Sequence, residues 1–392
     1  MGQKSGEICF LVFSDDYGEH PSSCQHLFQH ISENHRVLWV NTIGMRNPNL
    51  TMRDISKIFT KVGGMLRSLL GGRNRSTAGN FDSLVDSNIT VCQPFMLPYA
   101  NIGIFRALNR ISVTRHVNNK LTQLKLDQPV MVVTAPNACD YIGAFAESRV
   151  VYYCVDEFSE WPGVQRELVT SMESQLLHQC DVFVATSTKL LNKFDRHGET
   201  SLLLTHGVDA KLFADSTLSE HGLLADIPKP RVGYFGLFDD RSDQDLLYEV
   251  ATKMPDVSFV ITGSTETDVS RLASLGNMYF TGSVPFLEVP KIAAGFDICM
   301  LPYKLNDLTD AIQPLKFKEY IATGKPIVST PIKEARGLAG YIGLAATADE
   351  WTALIRRNLD GYHPTSDAQR HSFLHDESWA SKAERFLDHC LR

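Results

Sequence analysis

The sequence predicts an α/β protein with two Rossmann-like domains, each built on a parallel sheet. Short apolar runs alternate with longer helical patterns along all 392 residues. The runs are apolar at every position rather than at alternate positions, as expected for parallel strands whose two faces are both covered by helices. At roughly 100–200 residues per domain, the length gives two or three domains.

Eleven apolar runs are predicted as strands, which is too many for one typical Rossmann sheet but suits two. They are Ile8–Phe13, Val37–Asn41, Ile89–Cys92, Val130–Thr134, Val150–Val155, Val182–Ala185, Arg231–Phe235, Val257–Thr262, Met278–Thr281, Phe296–Leu301 and Pro326–Ser329. A polar stretch and the prolines Pro228 and Pro230 punctuate residues 206–230. We therefore predict domains over residues 1–207 and 208–375, followed by a final helix over 376–392.

Composition excludes several classes of protein. The formal net charge is −7, from 38 Lys and Arg against 45 Asp and Glu, whereas a general nucleic-acid binder is more often basic. No apolar run reaches the ~18–20 residues that span a bilayer, and the N-terminus lacks a signal peptide's long apolar region. Eight cysteines show no C-x-x-C pair, so we expect buried, reduced thiols rather than a metal site. The expected location is the cytoplasm.

Two segments of this acidic chain are basic, residues 46–75 and residues 101–126. The first carries seven Lys and Arg against one acid, interleaved with apolar residues at helical spacing; the second carries five and no acid. Ordinary amphipathic helices with solvated basic faces would explain them. A docking face for anionic lipid, or for a lipid diphosphate, explains why both segments share the bias.

The most informative stretch runs from Asp310 to Thr330. Pro314 suits a first helical residue, Gly324 a C-terminal cap and Pro326 a stop, which predicts a helix over 314–323. Lys316 then lies in the first turn, where a cation opposes the helix dipole unless an anion binds there. Glu319 is three residues on and shares its face. An ordinary surface Lys–Glu pair is the alternative explanation.

This stretch resembles the donor-binding region of GT-B glycosyltransferases, in the large group that includes the family-four enzymes. Further matches occur in the expected order over nearly the whole chain. They are Tyr153–Glu157, Asp181–Ser187, His206–Asp209, Gly233–Gly236 with Asp240-Arg241, Ile261–Ser264, Phe280–Pro285, Phe296–Tyr303 and the last helix from Trp379. The resemblance implies two domains facing across a cleft, with the acceptor bound by the first, the nucleotide sugar by the second, and the last helix returning to the first.

The resemblance also implies roles for residues of the second domain. Arg241 and Lys316 would contact the donor diphosphate, and Glu319 the ribose. Ser283, Val284 and Pro285 would form the nucleobase loop, and Asp310, Ile312 and Gln313 would contact the donor sugar. Two cations can stabilise the leaving diphosphate without a metal, so we expect neither a metal nor a cofactor. The nucleobase expected from the resemblance is uracil.

The stereochemical outcome stays open. Retaining family-four enzymes usually carry two glutamates here; the second is Glu319, but the first falls on Ala311. The Lys-x-x-acid spacing is also similar to that of the inverting glucuronosyltransferase of xanthan synthesis, and the Pro-Leu-Lys-x-x-Glu-Tyr form to that of teichuronic-acid and exopolysaccharide enzymes. Inversion needs a general base. Asp156, at a strand end, fits best and Asp16 is the second choice, although Asp15 and Asp16 equally suit a turn or a helix cap.

The function predicted is sugar transfer from a nucleotide sugar, UDP-linked on the resemblance, to a lipid-linked or polysaccharide acceptor in bacterial cell-surface glycan synthesis. The protein would lie on the inner face of the plasma membrane.

A dinucleotide-dependent dehydrogenase is disfavoured, because the first strand–helix turn holds one glycine, Gly18. The alternative is an inactive GT-B scaffold that recruits partners at the membrane, although such a scaffold would be expected to lose Lys316, Glu319 and Arg241.

Overall fold

A computed structural model describes residues 8–18, 22–42, 88–97, 102–161, 163–193, 200–215, 217–312, 314–363 and 365–392. The predicted basic segment 46–75 therefore lies outside the described residues. The chain forms two compact units. Unit 1 comprises Met1–His206 together with Lys382–Arg392, and unit 2 comprises Gly207–Ser381.

Unit 1 contains a parallel sheet of seven strands in the order β3-β2-β1-β4-β5-β6-β7. The strands are β1 Cys9–Ser14, β2 Arg36–Asn41, β3 Ile89–Cys92, β4 Val130–Val133, β5 Arg149–Cys154, β6 Val182–Ala185 and β7 Ser201–Leu203. Every residue of β1 and of β4 is buried, because helices and turns cover both faces of these central strands.

In the described parts of unit 1 there are four helices, and the last helix of the chain ends in this unit. They are α1 Ser23–Ile31, α2 Gly103–Leu124, α3 Arg166–Gln179, α4 Thr188–Lys193 and the last helix Trp379–Cys390; short 3₁₀ turns cover Pro136–Tyr141 and Phe158–Glu160. In the last helix, Phe386 packs edge-on against Phe28 and Tyr153, with ring centroids 6.0 Å apart in both cases. The buried Lys382 donates to the Thr205 hydroxyl at 3.0 Å.

Unit 2 contains a parallel sheet of six strands in the order β10-β9-β8-β11-β12-β13. The strands are β8 Arg231–Phe235, β9 Ser258–Thr262, β10 Met278–Gly282, β11 Ile298–Leu301, β12 Ile327–Ser329 and β13 Gly343–Leu344. This is the doubly wound Rossmann order, in which the chain runs outward from β8, then returns to place β11 on its other side.

The helices of unit 2 flank this sheet. They are α5 Ala210–Ala214, α6 Gln244–Lys253, α7 Ser270–Ala273, α8 Val289–Ala294, α9 Asp307–Ala311, α10 Lys316–Thr323, α11 Lys333–Gly337, α12 Ala348–Leu359 and α13 Asp367–Asp376, and the last helix is α14; 3₁₀ turns cover Gly222–Leu224 and Phe286–Glu288. Within the described parts of the chain, no helix is both long and apolar enough to cross a membrane.

The predicted fold class is confirmed, and all eleven predicted strands occur with ends shifted by at most two residues. Two strands were missed, β7 and β13. They have three and two residues, lie at sheet edges and are only partly buried, so neither gives a long apolar run. The helix predicted over 314–323 begins at Lys316 instead, because the residues before it form a turn.

Candidate functional site

The candidate site lies at the carboxyl edge of the unit 2 sheet, where the strand order reverses. Strands β8 and β11 are neighbours there, although β9 and β10 separate them along the chain. Segments leaving two such strands diverge to opposite faces of the sheet and leave a crevice. The β8 strand leads directly into Gly236, and β11 leads through α9 to α10.

Three glycines line this edge with positive φ angles. Gly236, Gly263 and Gly282 follow or end β8, β9 and β10, with φ of 111°, 142° and 76°. The Gly236 amide donates to the Thr262 carbonyl at 2.8 Å, and the Gly263 amide to the Gly282 carbonyl at 2.9 Å. A Cβ atom on Gly263 would collide with the Gly236 carbonyl. The glycines therefore keep the edge bare enough for close approach of a ligand to the backbone.

Lys316 projects over this bare backbone from the first residue of α10. Its Nζ atom lies 5.2 Å from the centre of the Tyr234 ring, and its Cε atom lies against Gly236. Leu315, at the N-cap, makes no side-chain cap hydrogen bond. Among the described residues Lys316 has no ion pair. The Phe317 and Lys318 amides donate to the Pro314 and Leu315 carbonyls, so the ammonium and the helix dipole are what favour an anion at this end of the helix.

Replacing Gly236 with alanine is expected to weaken anion binding at this site. The new Cβ would collide with the Lys316 Cε atom, and a φ of 111° is strained for any L side chain. The strain should lower the free energy of unfolding by about 1–3 kcal/mol, and the displaced ammonium should lower UDP affinity by about tenfold. Calorimetric titration with UDP and thermal unfolding measure the two effects. Gly276→Ala, where a Cβ meets no atom within 4 Å, is the control.

Glu319 lies one turn beyond Lys316 on the same helix. Its side chain is half-buried, and no side-chain hydrogen bond to it occurs among the described residues. Burial raises the pKa of Glu319 to about 7, although the neighbouring Lys316 ammonium lowers it. A carboxylate held without a donor can accept hydrogen bonds from the hydroxyl groups of a bound sugar or ribose, provided that it is ionised.

UDP affinity is therefore expected to fall as the pH falls through 7. Protonated Glu319 cannot accept two hydroxyl donors as a carboxylate does, so UDP should bind about tenfold more weakly at pH 6 than at pH 8. Titrations across this range on the native chain and on Glu319→Gln separate this effect from the titration of UDP itself. An equal pH dependence in both proteins would remove Glu319 from the site.

Arg241 follows β8 and stands beside Asp239. Its Nε atom donates to both Asp239 carboxylate oxygens at 2.9 Å, and its guanidinium lies 5.8 Å from the centre of the Tyr303 ring. The hydrogen bonds that Arg241 donates to Asp239 raise the pKa of Arg241 further above its ordinary value. Its position is thus fixed, while part of its charge is offset locally by Asp239.

The remaining residues predicted for the donor occupy different environments. Ser283 follows β10 and its hydroxyl lies 3.0 Å from that of Ser264; Val284 is half-buried and Pro285 is exposed. The Asp310 carboxylate accepts from the Lys333 amide at 2.7 Å and pairs with Arg336 at 3.3 Å, so it caps α11. Ile312 is half-buried. Gln313 lies outside the described residues.

The two candidate bases lie in unit 1. Asp156 is exposed beyond the end of β5, and its carboxylate accepts from the Trp161 indole and from the Glu157 amide, both at 2.8 Å. Asp16 is half-buried beyond the end of β1. Its neighbour Asp15 accepts from Ser14, Ser22 and Gln25, which matches the alternative explanation of a turn or cap for that residue.

Sequence reasoning missed two features. The first is the close approach of Lys316 to Gly236, which the motif alone did not indicate. A glycine directly after an apolar strand was the signal that could have suggested it. The second is the buried network beneath Asp156, in which Lys193 pairs with Glu157 and, at 3.1 Å, with Glu173, which accepts from the Tyr152 hydroxyl at 2.8 Å. No local pattern connects residues so distant in the sequence.

The second unit contains the region that matches a known family. Residues 229–360, which include all of these unit 2 residues, match the family model described as glycosyl transferases group 1. This part of the second unit is therefore similar to group 1 glycosyltransferase domains. A relative from Bacillus subtilis (strain 168), named as a teichuronic acid biosynthesis glycosyltransferase, TuaH, is 29% identical over 209 residues, covering 51% of this chain and 50% of the relative. The match thus spans about half the length of that curated protein.

Solved structures similar to the whole chain have the GT-B fold. Anabaena HepE, solved in complex with UDP, gives a TM-score of 0.60 at 13% identity and covers 97% of this chain and 98% of its own. Sucrose-phosphate synthase from Thermosynechococcus elongatus gives 0.61 at 12% identity and covers 97% of each chain. The two-sheet architecture of the chain is therefore that of GT-B proteins, as the resemblance implied.

Proposed function

We propose that the protein transfers a sugar from a UDP-linked donor to a lipid-linked or polysaccharide acceptor in bacterial cell-surface glycan synthesis. One observation carries the donor half of this proposal. The ammonium of Lys316, without an ion pair among the described residues, lies over the bare backbone at Gly236 on the first turn of α10. The teichuronic acid relative and the UDP-bound structure of HepE support the choice of UDP and of a cell-surface glycan.

In the reaction the anomeric carbon of the sugar exchanges its bond to a diphosphate oxygen for a bond to an acceptor oxygen. The bond from the sugar C1 to the UDP oxygen breaks, UDP leaves with the electron pair, and the acceptor oxygen forms the new bond as its proton goes to a base. Lys316 and Arg241 would hold the negative charge that develops on the leaving diphosphate. We propose that these cations make a metal unnecessary, so EDTA should leave UDP binding unchanged.

A thermal-shift panel tests the donor assignment. The purified chain is heated with UDP, GDP, ADP and their common sugar conjugates, because a ligand that binds only the folded state must raise the unfolding temperature. A shift specific to the uridine series, larger with one sugar conjugate, supports the proposal and identifies the sugar. A shift confined to another nucleotide would overturn the choice of UDP, and no shift at all would favour the inactive scaffold.

We further propose that the first unit docks on the cytoplasmic face of the plasma membrane through α2. Ile104, Leu108 and Ile111 lie one turn apart on this helix and are 67%, 48% and 67% exposed. Val113, Val117 and Leu121 form its buried side. An apolar row of this kind on a basic helix suits the boundary between lipid headgroups and acyl chains.

The basic residues of α2 differ in their availability. Arg106 is bound by Asp140, with its Nε atom 2.8 Å from one carboxylate oxygen, and so contributes little to an outside partner. Arg110 and Arg115 are exposed and have no ion pair among the described residues. Arg115 lies one turn beyond Ile111, in line with the apolar row.

Replacing both Ile104 and Ile111 with serine is expected to weaken binding to vesicles of phosphatidylglycerol and phosphatidylcholine by at least about tenfold. Each buried isoleucine contributes roughly 1.5–3 kcal/mol. Sedimentation with vesicles measures the binding. A matched control replaces the exposed Leu223 of unit 2, 46% exposed, with serine. Unchanged binding of the double variant would show that α2 is an ordinary amphipathic helix.

A further inference from the structure

A cavity in unit 2 lies at the far end of the helix that carries Lys316. It has a volume of about 440 Å³, within the range of sites for small molecules. Gly324, at the C-terminal cap of α10, and Ile327, at the start of β12, line it. Strand β12 begins at the edge of the sheet opposite the glycine edge, and the length of α10 separates the two places by roughly 12 Å. The cavity is therefore distinct from the candidate donor site.

Two cationic side chains and one histidine, all from separate segments, line this cavity. Lys325 follows the helix cap, His363 lies beyond α12 and Arg370 lies on α13. Lys325 is half-buried and has no ion pair among the described residues. A half-buried ammonium without a carboxylate partner is favoured when an anion binds beside it.

Contacts with its neighbours fix the position of the Arg370 side chain. It packs against Gly324, whose φ of 72° and missing side chain allow this approach, and one guanidinium nitrogen lies 3.4 Å from the Ala322 carbonyl. Another nitrogen pairs at 2.8 Å with Asp367, whose side chain is 84% exposed against 19% for Arg370. An exposed carboxylate contributes little to such a pair and can be replaced by a bound anion.

The rest of the lining is suited to the body of a sugar. Ile321 and Ile327 provide an apolar wall, and Tyr341 stands beside it, its ring 4.7 Å from that of Phe373. The Thr365 hydroxyl, which donates to the Gly340 carbonyl, also lies in the lining, as does Ser366. Ring carbons contact apolar and aromatic side chains, while hydroxyl groups bond to the polar rim.

We propose that this cavity binds a small organic phosphate, of the size of a sugar phosphate. A planar guanidinium and a lysine ammonium from different segments can contact separate oxygens of one doubly charged phosphate. A ligand with a single carboxylate would contact only one of the two cations. The proposal does not depend on the glycosyltransferase activity, because no residue of the candidate donor site lines the cavity.

The test is calorimetric titration of the full chain with glucose 6-phosphate, in the presence of saturating UDP. We expect one saturable site, a weaker response to inorganic phosphate and no response to glucose. Lys325→Met and Arg370→Gln should each weaken the binding by at least about tenfold. Lys291→Met, at an exposed lysine on α8 outside the cavity, should bind as the native chain does, and so should Lys316→Ala, which lacks the donor-site cation.

A second measurement covers the possibility that the cavity variants fold poorly. In the native chain labelled at isoleucine methyl groups, glucose 6-phosphate should shift the signals of Ile321 and Ile327, assigned by Ile→Val substitution. Competition between glucose 6-phosphate and UDP, equal binding of glucose, or methyl signals at both isoleucines that do not move would each overturn the proposal. Loss of UDP binding with retained phosphate binding would instead count against the proposed function alone.

Discussion

Replacing Lys316 with alanine is expected to weaken UDP binding by about 100-fold while leaving the unfolding temperature nearly unchanged. Charge-assisted hydrogen bonds contribute about 1.5–3 kcal/mol, and at this helix end the lysine acts together with the helix dipole. The ammonium has no ion pair among the described residues, so its removal breaks no salt bridge, and its main effect within the protein is to let the pKa of Glu319 rise further. Calorimetric titration with UDP measures the affinity, and differential scanning calorimetry measures the stability.

Lys318→Ala is the matched control, two residues further along the same helix. Lys318 is paired with Glu377 and only 11% exposed, so its loss should lower the free energy of unfolding by about 1–3 kcal/mol. UDP binding should persist, because the ion pair faces α13 and not the glycine edge. If Lys316→Ala bound UDP as well as Lys318→Ala does, the diphosphate would have to bind elsewhere.

The free energy of unfolding should also report the environment of Glu319. Burial raises its pKa from 4.5 to about 7 in the folded chain, so the folded state holds this proton more tightly than the unfolded state does. Stability due to this group is complete below pH 4.5 and is lost as the pH rises to 7. The loss amounts to at most about 3 kcal/mol. A ligand hydroxyl that donates to ionised Glu319 would offset this loss of stability above pH 7.

The fold could be predicted from the sequence because its signals are local. A buried parallel strand is apolar at every position, and Gly324 ends α10 with the left-handed conformation that glycine adopts most readily. Lys316 and Glu319 could be placed on one helical face from their spacing alone. The short edge strands β7 and β13 lack such a signal, and so does the start of α10, where Pro314 suggested an earlier first turn.

The environment of the site residues could not be predicted in the same way. Arg241 has the right place in the chain, yet its ion pair with Asp239 depends on the loop conformation after β8. Asp310 was assigned to the donor sugar from the resemblance, whereas its carboxylate contacts Lys333 and Arg336 in the structure. The role of Gly236 depends on a lysine 80 positions away, and only the fold brings the two together.

Replacing Asp156 with asparagine is expected to leave UDP binding intact and to lower the rate of transfer by about 10²–10⁴-fold. This expectation rests on the proposal that Asp156 takes the proton of the acceptor hydroxyl. The Trp161 indole and the Glu157 amide each donate to it at 2.8 Å and fix the carboxylate beyond the end of β5. Asparagine keeps the size of the side chain and removes its capacity to accept a proton.

Glu157→Gln is the control for this experiment, because the two carboxylates are adjacent and differ in their partners. Glu157 is held by Lys193 and by the Ser159 hydroxyl, at 2.6 Å for the latter, and is therefore committed to the buried network below the loop. Its replacement should lower stability and leave the rate of UDP release within about threefold of the native rate. The assay uses the donor that the thermal-shift panel identifies and a bacterial membrane-lipid extract as the source of acceptor. Full activity in Asp156→Asn would show that Asp156 is not the general base and would leave Asp16 as the candidate. The inverting mechanism would then require that Asp16→Asn abolish turnover.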